Sequence, residues 1–142
     1  MTETQINRRI EHFNCLVVDD DKFARNFTKT ALTQIGFKNI KEAANAAEAE
    51  ELIRNTRIDI IFTDQQMPEK TGLEMISGLL EQDSEFTDRI PVIMITSDTR
   101  ESTVLKAKDL RIREYIIKPL SPGMLKKRIF NILNLAESTG RD

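Results

Sequence analysis

The chain has 142 residues, 39% apolar and 31% charged, with a formal net charge of −2. That length suits one domain with a single core, and the balanced charge argues neither for nor against nucleic acid, while no separate basic segment could serve as a DNA-binding domain. One cysteine, Cys15, excludes an internal disulfide framework and fits a reducing cytosol; one histidine, His12, excludes a His-rich metal site; no apolar run is long enough to cross a bilayer.

Residues 1–13 are polar and carry no apolar signal core. Ile6, Ile10 and Phe13 sit at roughly helical spacing, which leaves a short helix and a flexible extension both open. Cys15 to Val18 is an apolar run that closes on Asp19-Asp20-Asp21 and reads as a first strand. From Lys22 the period changes. Ala24, Phe27, Thr28, Ala31, Leu32 and Ile35 recur at helical spacing, and Gly36 stops the helix. Asn39 to Ala43 is a short second strand. Ala46 to Asn55 is a helix of strong formers. Ile60 to Thr63 is a third strand, buried on both faces and ended by Asp64. Pro68 and Gly72 mark a loop, and Gly72 to Glu81 is a helix. Asp83 to Arg89 reads as a polar loop. Pro91 to Thr96 is a fourth buried strand, Arg100 to Leu110 a polar helix, and Glu114 to Ile117 a fifth strand ended by Lys118-Pro119. Ser121-Pro122 opens a last helix to Leu135, and residues 136–142 read as a flexible tail.

Five strand-then-helix units predict a doubly wound α/β fold, a parallel sheet covered on both faces. In such a sheet all carboxyl ends share one edge, where ligands bind. The first strand delivers Asp19 and Asp20 to that edge, the third Asp64, the fourth Thr96 and Ser97, and the fifth Lys118. Three carboxylates together repel, so the cluster calls for a cation, and a hard divalent ion with oxygen ligands, Mg²⁺, answers that need. Three carboxylates, one ammonium and one Mg²⁺ sum to roughly zero. Phosphorylating Asp64 replaces one negative charge by about two and leaves the site only about one unit negative. The cluster thus suits a carboxylate that accepts a phosphoryl group.

Val17-Val18-Asp19-Asp20, Asp64-Gln65-Gln66-Met67-Pro68 with Gly72, Ile95-Thr96-Ser97 and Tyr115-Ile116-Ile117-Lys118-Pro119 together resemble the receiver domain of two-component response regulators, single-domain and CheY-like, over residues 14–135. The resemblance implies a flavodoxin-like (βα)5 fold with sheet order 2-1-3-4-5. It implies phosphotransfer to Asp64 from a histidine kinase or histidine phosphotransfer protein. It also implies Asp19, Asp20, Asp64 and the backbone carbonyl of Gln66 as the Mg²⁺ site, with Mn²⁺ able to substitute. Thr96, Ser97 and Lys118 would bind the phosphoryl group, and Thr96 with Tyr115 would form the switch. Gln66 and Asp98 occupy positions that tune dephosphorylation in the family. The Lys118-Pro119 bond is expected to be cis.

The reading is therefore a stand-alone, cytoplasmic, monomeric receiver, with a dimer left open, that is not a turnover enzyme and touches neither nucleic acid nor membrane. It would signal to an unidentified downstream protein through the face made by the helix before the fifth strand, that strand and the last helix. A phosphorelay shuttle or sink is the alternative, and a degenerate constitutive binding module a further one. A phosphatase with an aspartyl-phosphate intermediate would need a second acid where Gln66 stands. Phe23, off the buried stripe of its helix, is a candidate docking residue for a phosphodonor or is partly buried under residues 1–13. Cys15 reads as a core residue and His12 as a plain terminal residue. Arg111 stands where the family usually has Gly in a left-handed backbone at a helix C-cap, so it must either accept that conformation or alter the cap, and it sets a positive charge near the output face.

Overall fold

The computed structural model describes residues 2–140, and side chains as far as Asn134. Strands β1 (Asn14–Val18), β2 (Asn39–Ala43), β3 (Ile60–Thr63), β4 (Val92–Thr96) and β5 (Glu114–Ile117) form one parallel sheet in the order β2-β1-β3-β4-β5. This is the predicted architecture. Each inner strand is apolar on both sides because helices cover both faces.

Side chains alternate between two cores. Cys15, Val17, Ile60, Phe62, Ile93 and Ile95 face one side. There they meet α2 (Lys22–Ile35) and α7 (Pro122–Gly140), through Ala31, Leu32, Leu125, Ile129 and Ile132. Leu16, Val18, Ile61, Val92 and Met94 face the other side. That side is closed by α3 (Ala46–Asn55), α4 (Gly72–Gln82), a single-turn α5 (Phe86–Arg89) and α6 (Glu101–Asp109). The period of two along each strand thus sorts residues between the two helical layers.

Residues Glu3–His12 form a helix, α1, which settles the choice left open for the N-terminus. Thr2 and Gln5 make a capping box, each side chain bonding the other's backbone N–H at 3.1 and 2.8 Å. Ile6 and Ile10 are buried in the first core, and Lys126 of α7 reaches Glu3. The helix is part of the domain's packing. Ile10→Ala is expected to cost about 3 kcal/mol, as for other fully buried aliphatic truncations, read from the midpoint of urea unfolding.

Three details differ from the sequence reading. The stretch taken as a polar loop contains α5, because Phe86 and Thr87 are buried. Phe27, placed on the buried stripe of α2, is 47% exposed. The last helix runs to Gly140, past Leu135; Arg141 and Asp142, the end of the stretch read as a flexible tail, lie outside the described residues.

Arg111 has a φ of 60°, the left-handed conformation its position asks for. Such backbone costs a non-glycine residue about 1 kcal/mol. Its guanidinium donates to Asp88 at 3.0 Å and to the Ser84 carbonyl at 2.7 Å. The charge therefore engages the α5 turn, where the sequence reading had placed it near the output face.

The buried Thr87 hydroxyl has no hydrogen-bond partner among the described residues. An unmade bond of this kind costs about 1 kcal/mol or more. Thr87→Val keeps the shape and removes the hydroxyl. It is expected to raise stability by about 1 kcal/mol in the same unfolding measurement.

Candidate functional site

The sheet sets the site through its backbone. Asp19 donates its N–H to the Ala43 carbonyl at 3.1 Å, and Asp64 donates to Val18 at 2.9 Å. Lys118 donates to Thr96 at 2.9 Å. Each ladder thus runs one residue beyond its strand, onto the residue that carries a functional group. The side chains then converge. The Lys118 ammonium lies 3.0 Å from Asp19 Oδ2 and 2.9 Å from Asp64 Oδ2. The carboxylates of Asp19, Asp20 and Asp64 can bring one oxygen each within 4.8 Å of one another. Asp19 and Asp64 are buried and Asp20 is exposed, so the cluster opens to solvent on one side. Three oxygen donors gathered this way suit a hard divalent cation.

The free oxygens are few. Asp64 Oδ1 accepts the backbone N–H groups of Gln65 at 2.6 Å and Gln66 at 3.2 Å. Asp19 Oδ1 accepts from the Asp21 N–H at 3.0 Å. Burial pushes the Asp19 carboxyl above the usual carboxylate range, and neighbouring Asp64 adds to this, against the pull of the Asp21 N–H and Lys118. Burial works against the Lys118 charge, but its bonds to Asp64 and Asp19 hold the ammonium above the usual lysine value. The two shifts have opposite balances: burial outweighs Lys118 at Asp19, whereas the two carboxylates outweigh burial at Lys118.

The loop after β3 is built to close tightly. The Gly72 N–H donates to the Gln65 carbonyl at 3.1 Å, and the Leu73 N–H to Gln65 Oε1 at 2.8 Å. A Cβ on Gly72 would lie 2.3 Å from the Asp64 carbonyl oxygen, so only glycine fits without displacement. Thr71 and Glu74 form a capping box that starts α4.

On the other side of Asp64, Thr96 is fully buried and its hydroxyl accepts from the Asp98 N–H at 3.2 Å. Tyr115 donates its hydroxyl to the Asp98 carbonyl at 2.6 Å and is part-buried beside the second core. Gln66 Nε2 donates to Asp98 Oδ2 at 3.0 Å. Ser97 is exposed. The Lys118-Pro119 bond is cis, as expected. Phe23 is 80% exposed and borders, with Phe27, Pro119 and Leu120, a cavity of about 230 Å³ that Lys118 also lines. It is not covered by the N-terminal segment.

Two arginines escaped the sequence reading. Arg25 donates to the Asp19 carbonyl at 2.7 Å and pairs with Glu42 of β2 at 3.2 Å, fixing the backbone that carries the acidic pair. Its only sequence signal is its place one turn into α2. Arg100 pairs with the Asp98 carboxylate at 2.6 Å. Cys15 is buried, and burial pushes its thiol well up, which makes it an inert core residue. His12 is exposed in the last turn of α1.

The response regulator receiver domain family matches residues 15–130, and the chain belongs to it. It is a CheY-like receiver of two-component signalling. Among curated relatives it is similar to a chemotaxis protein CheY homologue of Campylobacter jejuni, 32% identical over 126 residues, 88% of this chain and 95% of the relative. It is also similar to chemotaxis protein CheY1 of Helicobacter pylori, 35% identical over 119 residues, 83% of this chain and 94% of the relative. Among solved structures, the CheX–CheY–BeF3–Mg complex of Borrelia burgdorferi aligns with a TM-score of 0.73 and 30% identity, over 85% of this chain and 89% of that one. A CheY-like receiver from Methanospirillum hungatei, at 24% identity, matches the fold with a TM-score of 0.78 over 89% and 98% of the two chains. Among the described residues no helix is long and apolar enough to cross a membrane.

Proposed function

We propose that this receiver accepts a phosphoryl group on Asp64 from a histidine kinase or histidine phosphotransfer protein and then changes its affinity for a downstream protein. The observation that carries the reading is Lys118, whose ammonium bridges Asp19 and Asp64 beside a third carboxylate and a buried threonine hydroxyl. An Asp64 oxygen attacks phosphorus, the phosphorus–nitrogen bond of the donor phosphohistidine breaks, and its electron pair stays on the imidazole. Asp19, Asp20, Asp64 and the Gln66 backbone carbonyl would hold Mg²⁺, with Mn²⁺ able to substitute, and the ion would screen phosphoryl charge from the attacking carboxylate. Lys118 stays as the fixed cation, leaving its carboxylate partners to meet a phosphoryl oxygen. Thr96 ends the neighbouring strand and Ser97 follows it, where their hydroxyls can donate to the group. The Thr96 oxygen accepts from Asp98, so its own proton is free to be given.

The output face is α6, β5 and α7. It already exposes Val104, Leu105 and Ile117, apolar side chains suited to a protein partner. Phe23 and Phe27 form a separate apolar surface next to Lys118, placed to dock the phosphodonor. The protein acts in the cytoplasm as a monomer, without direct contact to nucleic acid or membrane, and its chemistry is confined to its own aspartate.

Beryllofluoride with Mg²⁺, a phosphoryl mimic, tests the coupling. In the wild type it should shift amide resonances around Asp64 and along α6 and β5. Thr96→Ala should keep the shifts around Asp64 and lose most of those on α6 and β5, because the mimic can bias the equilibrium only through contacts that differ between states. Undiminished shifts on α6 and β5 in Thr96→Ala would contradict the coupling.

A further inference from the structure

Arg25 holds the turn that carries the acidic pair at two points. Its N–H donates to the Asp21 carbonyl at 2.9 Å, the first bond of α2, and its Nη1 donates to the Asp19 carbonyl at 2.7 Å. The Asp19 N–H is held by Ala43 of β2 at 3.1 Å, and its carboxylate oxygens meet the Asp21 N–H and the Lys118 ammonium, each at 3.0 Å. The Asp19 carbonyl lies in one plane with the Asp20 N–H and both Cα atoms, so fixing its oxygen places the Asp20 Cα as well. This bears on Asp20, whose exposed carboxylate stands beyond the last ladder bond of β1. Arg25 is itself held. Its side chain is 15% exposed, and its Nε pairs with Glu42 Oε1 at 3.2 Å, while Lys29 takes Glu42 Oε2 at 3.1 Å. The planar guanidinium presents its N–H groups in a rigid fork, so anchoring one on Glu42 aims the other at Asp19. Glu42 precedes Ala43 on β2, so the same edge strand fixes both the N–H and the carbonyl of Asp19.

We propose that Arg25 is a positioning residue for the divalent cation and sets its preference for Mg²⁺ over Ca²⁺: through the Asp19 carbonyl it fixes how the carboxylates of Asp19 and Asp20 stand relative to each other. The inference rests on the reading of Asp19, Asp20 and Asp64 as a cation site. Charge alone argues the opposite way. A guanidinium near a cation site repels the ion, so removing it would tighten binding. Loss of a fixed peptide weakens binding instead, as loss of the groups that orient metal ligands commonly does. Mg²⁺ is small and demands nearly regular octahedral oxygens, whereas Ca²⁺ is larger and accepts flexible arrangements. A slackened pair of aspartates therefore costs Mg²⁺ more than Ca²⁺.

The test titrates the full chain, without phosphodonor, with magnesium chloride and separately with calcium chloride, and follows the amide resonances of residues 19–21 and 64–66. The same spectra report that each variant is folded. Arg25→Ala is expected to weaken Mg²⁺ binding about tenfold, and Ca²⁺ binding by less than about threefold. Arg25→Lys keeps the charge but loses the fork, and should weaken Mg²⁺ binding about threefold. It carries the test if Arg25→Ala does not fold. Lys29→Ala removes the other cation on Glu42 and leaves the Asp19 carbonyl held, so its Mg²⁺ affinity should stay within about twofold of wild type. Unchanged or tighter Mg²⁺ binding in either Arg25 variant, equal losses for the two ions, or a loss in Lys29→Ala as large as that in Arg25→Ala would each overturn the proposal. No saturable Mg²⁺ binding by the wild type would instead mark failure of the cation-site reading, and the proposal would fall with it.

Discussion

Gly72→Ala should be the most damaging single-methyl change in the molecule. The added carbon would sit 2.3 Å from the Asp64 carbonyl oxygen and 3.2 Å from both the Asp64 carbonyl carbon and the Met94 methyl. A flexible side chain such as Met94 can give way, whereas the Asp64 backbone cannot move without loosening its ladder bond to Val18. Overpacking of this kind costs about 3 kcal/mol. The same shift carries the Asp64 carboxylate away from Lys118. The variant should therefore lose stability in urea and take up phosphoryl groups at least tenfold more slowly, since small misplacements of reacting atoms are costly. A variant that matched the wild type in both measurements would mean that the loop after β3 is slack, against the close approach seen here.

Lys118→Ala should have the next largest effect, and its direction depends on conditions. Without metal, the substitution leaves two buried carboxylates facing each other with no cation. Lys118 is part-exposed, so the loss at neutral pH should be about 2 kcal/mol, below the range for fully buried pairs. The sign with pH follows from Asp19, whose carboxyl is already raised by burial. A raised carboxyl favours the protonated form in the folded state, so the deficit is full at neutral pH. It shrinks as pH falls through the raised value toward the ordinary aspartate value of about 3.9. Mg²⁺ should offset the deficit, because it takes the charge that Lys118 supplied. Thermal unfolding would show a larger Mg²⁺-induced rise in Tm for the variant than for the wild type. Equal rises, with a deficit unchanged from pH 7 to pH 4, would mean that metal and lysine do not share these carboxylates.

Much of this was legible from residue order. Apolar runs of four to five residues ending in Asp19, Asp64, Thr96 and Lys118 fixed both the sheet and its functional edge, since a parallel sheet sends all those ends one way. Gly36 marked the end of α2, and of the two outcomes open at Arg111 the structure shows the left-handed backbone. Other features depended on tertiary contact. α1 looks polar because only Ile6 and Ile10 are buried, and two positions cannot tell a docked helix from a loose one. α5 is one turn long, below any periodic signal. Phe27 fits the apolar stripe of α2 by spacing, yet lies at its edge beside an open cavity. Arg25 acts through the Asp19 backbone carbonyl and on Glu42 of β2, and spacing along the chain does not encode such partners; Arg100 pairs with Asp98 only two residues before it, a spacing common to many exposed charges.

The central claim is that Asp64 is a metal-dependent phosphoryl acceptor. Intact-mass measurement after incubation with Mg²⁺ and acetyl phosphate tests it most directly, with Asp64→Asn and an EDTA-treated sample alongside. The account predicts a single phosphoryl adduct on the wild type, absent from both controls. An adduct that persists in Asp64→Asn or in EDTA, or no adduct on a folded wild type, would contradict it and would leave this receiver as a constitutive binding module.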